Sequence, residues 1–208
     1  MGYLLSDEQA TTAYRETRSR LIDLLRVTDE SANGRRVPHC PAWTVGDLVA
    51  HIIGVPDDIV NGRLEGVTTD EWTQAQVARH GGRSLRELAD ALEAGAAGFD
   101  NVLPSMPPPV NSQVVMDTVT HEHDLRFALD QDGARDSLAV HVAVGWLLNM
   151  VDGHDPVMAA SLASSGIEPW ELLRSLGGRR SAAQMNAVGI DGAAVIAMLA
   201  GGPLRPPE

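Results

Sequence analysis

Apolar positions recur every three or four residues along most of the chain, and period-two alternation is nearly missing, which reads as helix rather than strand. The first such stretch, "DEQATTAYRETRSRLIDLLRVTD", sets Ala10, Tyr14, Thr17, Leu21 and Leu24 on one face, and Ser6 with Gln9 forms a capping box before it. Thr44 and Asp47 make a second box. It opens "VGDLVAHIIGVPDDIVNGRL", where Leu48, Ile52, Val55 and Ile59 form the stripe and Pro56 predicts a kink. A short helix, "DEWTQAQVARH", is closed by Gly81 and Gly82. Ser84 and Glu87 then cap "LRELADALEAGAAGFDNVL", with Leu85, Leu88, Leu92 and Phe99 on one side. "PSMPPP" at 104–109 interrupts the pattern, which resumes near Val110 as Val114, Thr118, His121, Leu125 and Ala128 and runs to "DQDG".

Four long amphipathic helices joined by loops predict a mainly α chain, an antiparallel four-helix bundle over residues 1–132. Residues 133–208 read as a shortened, mostly helical C-terminal region packing on that bundle. It starts with "SLAVHVAVGWLLNMV", apolar nearly all round and so expected to be buried against the bundle or a partner. Short helices, one or two strands and a Pro-rich end are expected after it.

Hydrophobic residues at 44% and charged ones at 21% are globular proportions, so such helices have a core to build, and with 4% aromatic residues that core rests on Leu, Val, Ile and Ala. A formal charge of −12 repels nucleic acid and anionic membranes. "MGYLLSDEQ" has neither a basic n-region nor an apolar segment, and no later run is long enough to span a membrane, so a cytoplasmic location is expected. The one cysteine, Cys40, excludes an internal disulfide and a multi-cysteine zinc site, leaving nitrogen and oxygen as metal ligands.

The candidate chemistry sits in "DTVTHEHDLRFAL", residues 117–129. Positions i and i+4 lie over one another on a helix, so Asp117 and His121 point at one spot on the apolar stripe, while His123, about 200° from His121, faces away. His51, three residues after Leu48 and four before Val55, is also on an inward face. One carboxylate and two imidazoles from two facing helices are the ligand set of a catalytic zinc site, and also suit non-haem iron or nickel. The plainer alternative is hydrogen-bonded core histidines. Cys40, in "CPAWT", reads as part of the rigid lead-in to the second long helix, with Trp43 beneath the cap, rather than as a nucleophile.

"CPAWTVGDLVAHIIGVPDDIVNGRL" resembles the lead-in to the second helix in the mycothiol-dependent maleylpyruvate isomerase family of actinobacteria, members of the wider DinB-like metal-binding bundles. "DEWTQAQVARHGGRSLRELADAL", "THEHDLRFAL" and "LLRSLGGRRSAAQM" resemble further blocks of that family in the same order, over most of the chain. The resemblance implies a four-helix bundle whose metal, usually zinc, is held by His51 and by an acid-x-x-x-His pair, here Asp117 and His121. Asp117 stands where the family commonly has Glu. Asp124 matches the H-x-x-D of the family and either accepts the second N–H of an imidazole or pairs with Arg126 or another basic group. Arg179 and Arg180 stand in a tail that in family members helps bind the thiol or substrate carboxylates. They are the cofactor-binding candidates together with Arg126, and Arg180 is also a catalytic candidate with Asp117, His121 and Asp124. Mycothiol is the implied cosubstrate. "DGHDPVMAASLASSGIEPW" is shorter than the sheet-bearing C-terminal domain of characterised members.

Three functions stay open at this point. The first is metal-dependent thiol chemistry, an S-transferase or isomerase acting on a small electrophile. The second is metal-independent acid-base or nucleophilic catalysis by Asp117 flanked by His51 and His121. The third is a zinc- or ligand-binding bundle without catalysis, with the apolar helix beyond residue 137 forming a homodimer surface.

Overall fold

The structure is a computed structural model and describes residues 2–202 and 204. Helix α1 (Asp7–Val27) starts at the Ser6–Gln9 box, in which Ser6 Oγ accepts the Gln9 N–H and Gln9 Oε1 accepts the Ser6 N–H. Strands β1 (Arg36–Val37) and β2 (Cys40–Thr44) form an antiparallel hairpin that feeds directly into α2 (Val45–Val60), capped by Thr44 and Asp47. Helix α2 runs through Pro56 as one element. After α3 (Asp70–His80), the Ser84–Glu87 box opens α4 (Leu85–Val102). The Pro-rich break then leads to α5 (Val110–Ala128) and, beyond a loop, to α6 (Leu138–His154).

Helix α1 packs against α4 and α5, and α2 packs against the same two, giving the four-helix bundle. Helix α3 lies on α2. The approach is close at Gly54, where a Cβ would fall 2.4 Å from the Cβ of Gln76, so only glycine admits this contact. Helix α6 covers α5 and α1, burying Val140, Val142, Ala143 and Leu147 within the chain.

Four short helices complete the described residues: α7 (Pro156–Ala163), α8 (Pro169–Leu176), α9 (Ala182–Ala187) and α10 (Gly192–Leu199). No strand occurs in this region among them, contrary to the expectation of one or two. The reason is local: Ser181 with Gln184 and Asp191 with the Ala194 N–H cap Ala-rich segments that favour helix. The strands lie instead in "CPAWT" and its partner, too short for alternation to show. The Pro-rich end lies outside the described residues. No helix among them is long and apolar enough to cross a membrane.

The apolar core is split. One cluster includes Tyr14, Phe99, Val119, Leu147 and Leu173; the other includes Leu21, Leu25, Leu48, Leu88 and Leu125. Along α5 the two are separated by the buried polar residues Thr120, His121, Glu122, His123 and Asp124, and along α1 by Thr17. A buried polar layer is tolerated only where its groups find partners. Glu122, fully buried, takes two bonds from Arg20 and two from Arg126. The candidate site lies in this layer.

Candidate metal centre

His51 on α2 and Asp117 and His121 on α5 converge. Asp117 Oδ2 is 3.6 Å from His51 Nε2, and Asp117 Oδ1 is 3.6 Å from His121 Nε2. The two imidazoles meet edge to face with centroids 5.1 Å apart, and one ligand atom from each of the three residues lies within 4.8 Å of the others. Tetrahedral zinc with bonds of 2.0–2.2 Å holds its ligand atoms about 3.4 Å apart, so these three residues could hold one ion after small shifts. The Trp43 ring walls the site, 5.1 Å from the His51 ring and 6.0 Å from that of His121.

What lies behind the imidazoles decides their chemistry. His51 Nδ1 is 2.8 Å from Gln76 Oε1, and the Gln76 amide donates its own N–H to Asp58 Oδ2 at 2.9 Å. Asp58, buried and held by Arg63 and Arg79, only accepts, so the Gln76 carbonyl must face His51 and His51 must carry its hydrogen on Nδ1. On the other side, His121 Nδ1 is 3.2 Å from Asp124 Oδ2. In their neutral forms both imidazoles therefore keep the Nε2 lone pair, and both Nε2 atoms face Asp117. Two lone pairs and a part-exposed carboxylate brought this close repel one another unless a proton or a cation stands between them.

The electrostatics agree. Burial alone would raise the Asp117 carboxyl, but the hydrogen bond and charge of His51, then the charges of His121 and Arg179, outweigh it and hold the pKa at about 2. Burial alone would lower His51, yet the Asp117 carboxylate and then the Gln76 bond shift it upward. Asp124 is fully buried; burial pushes it up, and Arg179, His121 and Arg174 together hold it well below the usual carboxylate range. Arg174 Nη1 donates to Asp124 Oδ1 at 2.8 Å and Arg179 Nη2 to Oδ2 at 2.9 Å.

Asp124 meets both expectations, with other basic groups in place of Arg126: it lies against His121 Nδ1 and pairs with Arg174 and Arg179, while Arg126 bonds Glu122. Arg179 is buried and also donates to the Gly177 carbonyl at 2.8 Å. Arg180 pairs with Glu171 at 3.0 Å, and both Arg180 and Arg126 line a separate cavity rather than the His–Asp–His cluster. His123 faces away from His121, as its helical position predicts, and is buried with its Nδ1 accepting the Trp170 indole N–H at 3.3 Å. Burial lowers its pKa to about 4.

Cys40, His121 and Asp124 form a second group that meets the same distance limit. Both Asp124 oxygens are already taken by guanidiniums, and burial together with Asp124 pushes the Cys40 thiol up to about 12. Without a metal beside it, Cys40 is a thiol rather than the thiolate a nucleophile needs. Gln76 and Arg174 are the residues that sequence reasoning missed. Arg174 carries a faint signal, an Arg amid "LLRSL" on a short amphipathic helix; Gln76 carries none, because its role depends on α3 meeting α2 at Gly54.

Fold and site together define a DinB-like helical bundle in which two histidines and an aspartate meet in a polar layer between two apolar cores. Residues 14–131 match the family model of the mycothiol maleylpyruvate isomerase N-terminal domain, and the chain belongs to that family. Searches among curated proteins and among solved structures return no match. The matched segment contains His51, Asp117, His121 and Asp124, whereas Arg174, on α8, and Arg179, in the loop between α8 and α9, lie beyond it.

Proposed function

We propose that this protein is a metal-dependent enzyme of low-molecular-weight thiol chemistry, an isomerase or S-transferase that uses mycothiol on a small electrophile. The observation that carries this reading is the orientation of the two imidazoles, each with Nδ1 on an acceptor oxygen and Nε2 toward Asp117. His51, Asp117 and His121 would hold the ion, with zinc expected from the two nitrogens and one carboxylate. A divalent metal at this position supplies a lowered pKa to a bound thiol, so that thiolate is available at neutral pH.

The chain's own residues do the positioning. Gln76 and Asp124 fix the tautomers and ring orientations of the two histidines. Arg174 and Arg179 keep Asp124 ionised, and the Trp43 ring packs beside both imidazoles. Cys40 is not the nucleophile in this scheme, since its thiol stays protonated.

A metal-free general base at Asp117 is less well supported, because a carboxylate held at about 2 is a weak base near neutral pH. The apolarity of α6 that suggested a homodimer surface is used within the chain, against α5 and α1. The test is turnover of maleylpyruvate with mycothiol, before and after chelation and zinc restoration. Mycothiol-dependent turnover that chelation abolishes and zinc restores supports the reading. Turnover that persists after complete chelation overturns the metal dependence, and turnover without any thiol overturns the thiol chemistry.

A further inference from the structure

His51 and Asp58 stand on one side of α2, about two helical turns and about 10 Å apart along its axis, too far to touch. Gln76 of α3 spans them. Its carbonyl oxygen lies 2.8 Å from His51 Nδ1 and its amide nitrogen 2.9 Å from Asp58 Oδ2. Asp58 and Gln76 are 1% and 0% exposed, so water cannot stand in for either partner. Whatever residue 58 presents to Gln76 therefore dictates what Gln76 presents to His51.

Asp58 presents an acceptor because it is a carboxylate. Its Oδ1 takes the Arg63 Nε–H, at 2.6 Å, and an N–H of Arg79 Nη2, which leaves Oδ2 to the Gln76 amide. The same two guanidiniums face Asp57, with Arg79 Nε 4.0 Å from its Oδ2, and so keep a counter-charge if Asp58 loses its own.

Asparagine at position 58 reverses this chain of bonds. Two guanidiniums demand an acceptor at the Oδ1 position, so the new amide oxygen stays there and the amide nitrogen faces Gln76. Gln76 must then turn its carbonyl toward residue 58 and its N–H toward His51. His51 Nδ1 becomes the acceptor, and the ring hydrogen moves to Nε2, the nitrogen that faces Asp117. Both helices and all three candidate ligands stay in place. Adding Gln76→Glu restores the original sense, because one carboxylate oxygen accepts from the amide at 58 and the other accepts the His51 Nδ1–H.

We propose that Asp58 is a positioning residue of the metal centre, selecting through Gln76 which nitrogen of His51 is free to act as a ligand. The inference rests on the metal-centre reading for the use of that nitrogen, while the relay itself needs no ion.

Two readouts test it in the wild type, in Asp58→Asn and in Asp58→Asn/Gln76→Glu. One is zinc affinity by competition with a chromophoric chelator. The other is the pair of His51 ring-nitrogen chemical shifts in metal-free protein at alkaline pH, where the ring is neutral. Asp58→Asn is expected to lose about 10–100-fold or more in zinc affinity and to carry the His51 hydrogen on Nε2. The double variant, which exchanges amide and carboxylate between the two positions, should return the hydrogen to Nδ1 and regain about tenfold or more. A hydrogen that stays on Nδ1 in Asp58→Asn overturns the proposal, as does unchanged affinity, or a loss that the double variant does not reverse. Wild-type protein that binds no zinc sinks the metal reading alone, and the His51 shifts still decide the relay. Should Asp58→Asn fail to fold, neutral His51 of the wild type decides. A hydrogen on Nδ1, with a scalar coupling across its bond to the Gln76 carbonyl, supports the relay, and a hydrogen on Nε2 overturns it.

Discussion

At the scale of single residues, the site turns on which nitrogen of each histidine carries its hydrogen. Gln76 sets this for His51 and Asp124 sets it for His121, and each is itself fixed by charged partners behind it. Removing such a partner typically weakens metal binding by about 10–100-fold without removing a ligand. Gln76→Leu is therefore expected to retain its fold and lose about that factor in zinc affinity, measured by competition with a chromophoric chelator; unchanged affinity would show that the Gln76 bond does not orient His51. His51, Asp117 and His121 were legible in the sequence because i,i+4 spacing and the apolar stripe place them on inward faces. Gln76 and Arg174 were not, since what they touch is set by how helices distant in sequence pack. The same limit applies to Arg126 and Arg180, which come from the expected blocks and yet line the other cavity.

At the scale of elements, the helices were readable wherever a cap announced them. The boxes at Ser6, Thr44 and Ser84 all form, and the helix opened at Thr44 carries His51. The hairpin before α2 was hidden because strands of two and five residues leave no periodic trace, and the tail strands were expected where capped Ala-rich segments favour helix. The contact of α2 with α3 is where an element controls the site. A methyl at position 54 would drive into the Gln76 side chain, so Gly54→Ala must push α3 away or displace that side chain. Overpacking of this kind costs about 1–3 kcal/mol. Denaturant unfolding should show that loss, and zinc affinity should fall in parallel with Gln76→Leu. A variant that loses neither stability nor affinity would contradict the close approach.

Over the whole molecule, two apolar clusters enclose a layer of charge that only a few buried partners keep neutral. That arrangement makes stability depend on pH. Burial, with Arg174 beside it, lowers the His39 pKa to about 4, with Asp124 pulling the other way and Arg179 and Arg180 adding to the depression. The unfolded chain takes up a proton near pH 6.5 that the folded His39 refuses until about 4, so stability is lost as pH falls through this window. The slope from this one group is at most about 1.4 kcal/mol per pH unit. His39→Asn, whose amide oxygen can still accept from Arg174, should unfold with a shallower pH profile between 6.5 and 5 than the wild type. Parallel profiles would remove His39 as the cause.

The account rests on His51, Asp117 and His121 sharing one ion, and bound metal per chain tests that most directly. Elemental analysis of protein purified without added metal, beside His51→Ala prepared in the same way, should give close to one zinc per wild-type chain and almost none in the variant. A wild type that takes up no metal even after incubation with zinc, or a variant that retains a full equivalent, would contradict it.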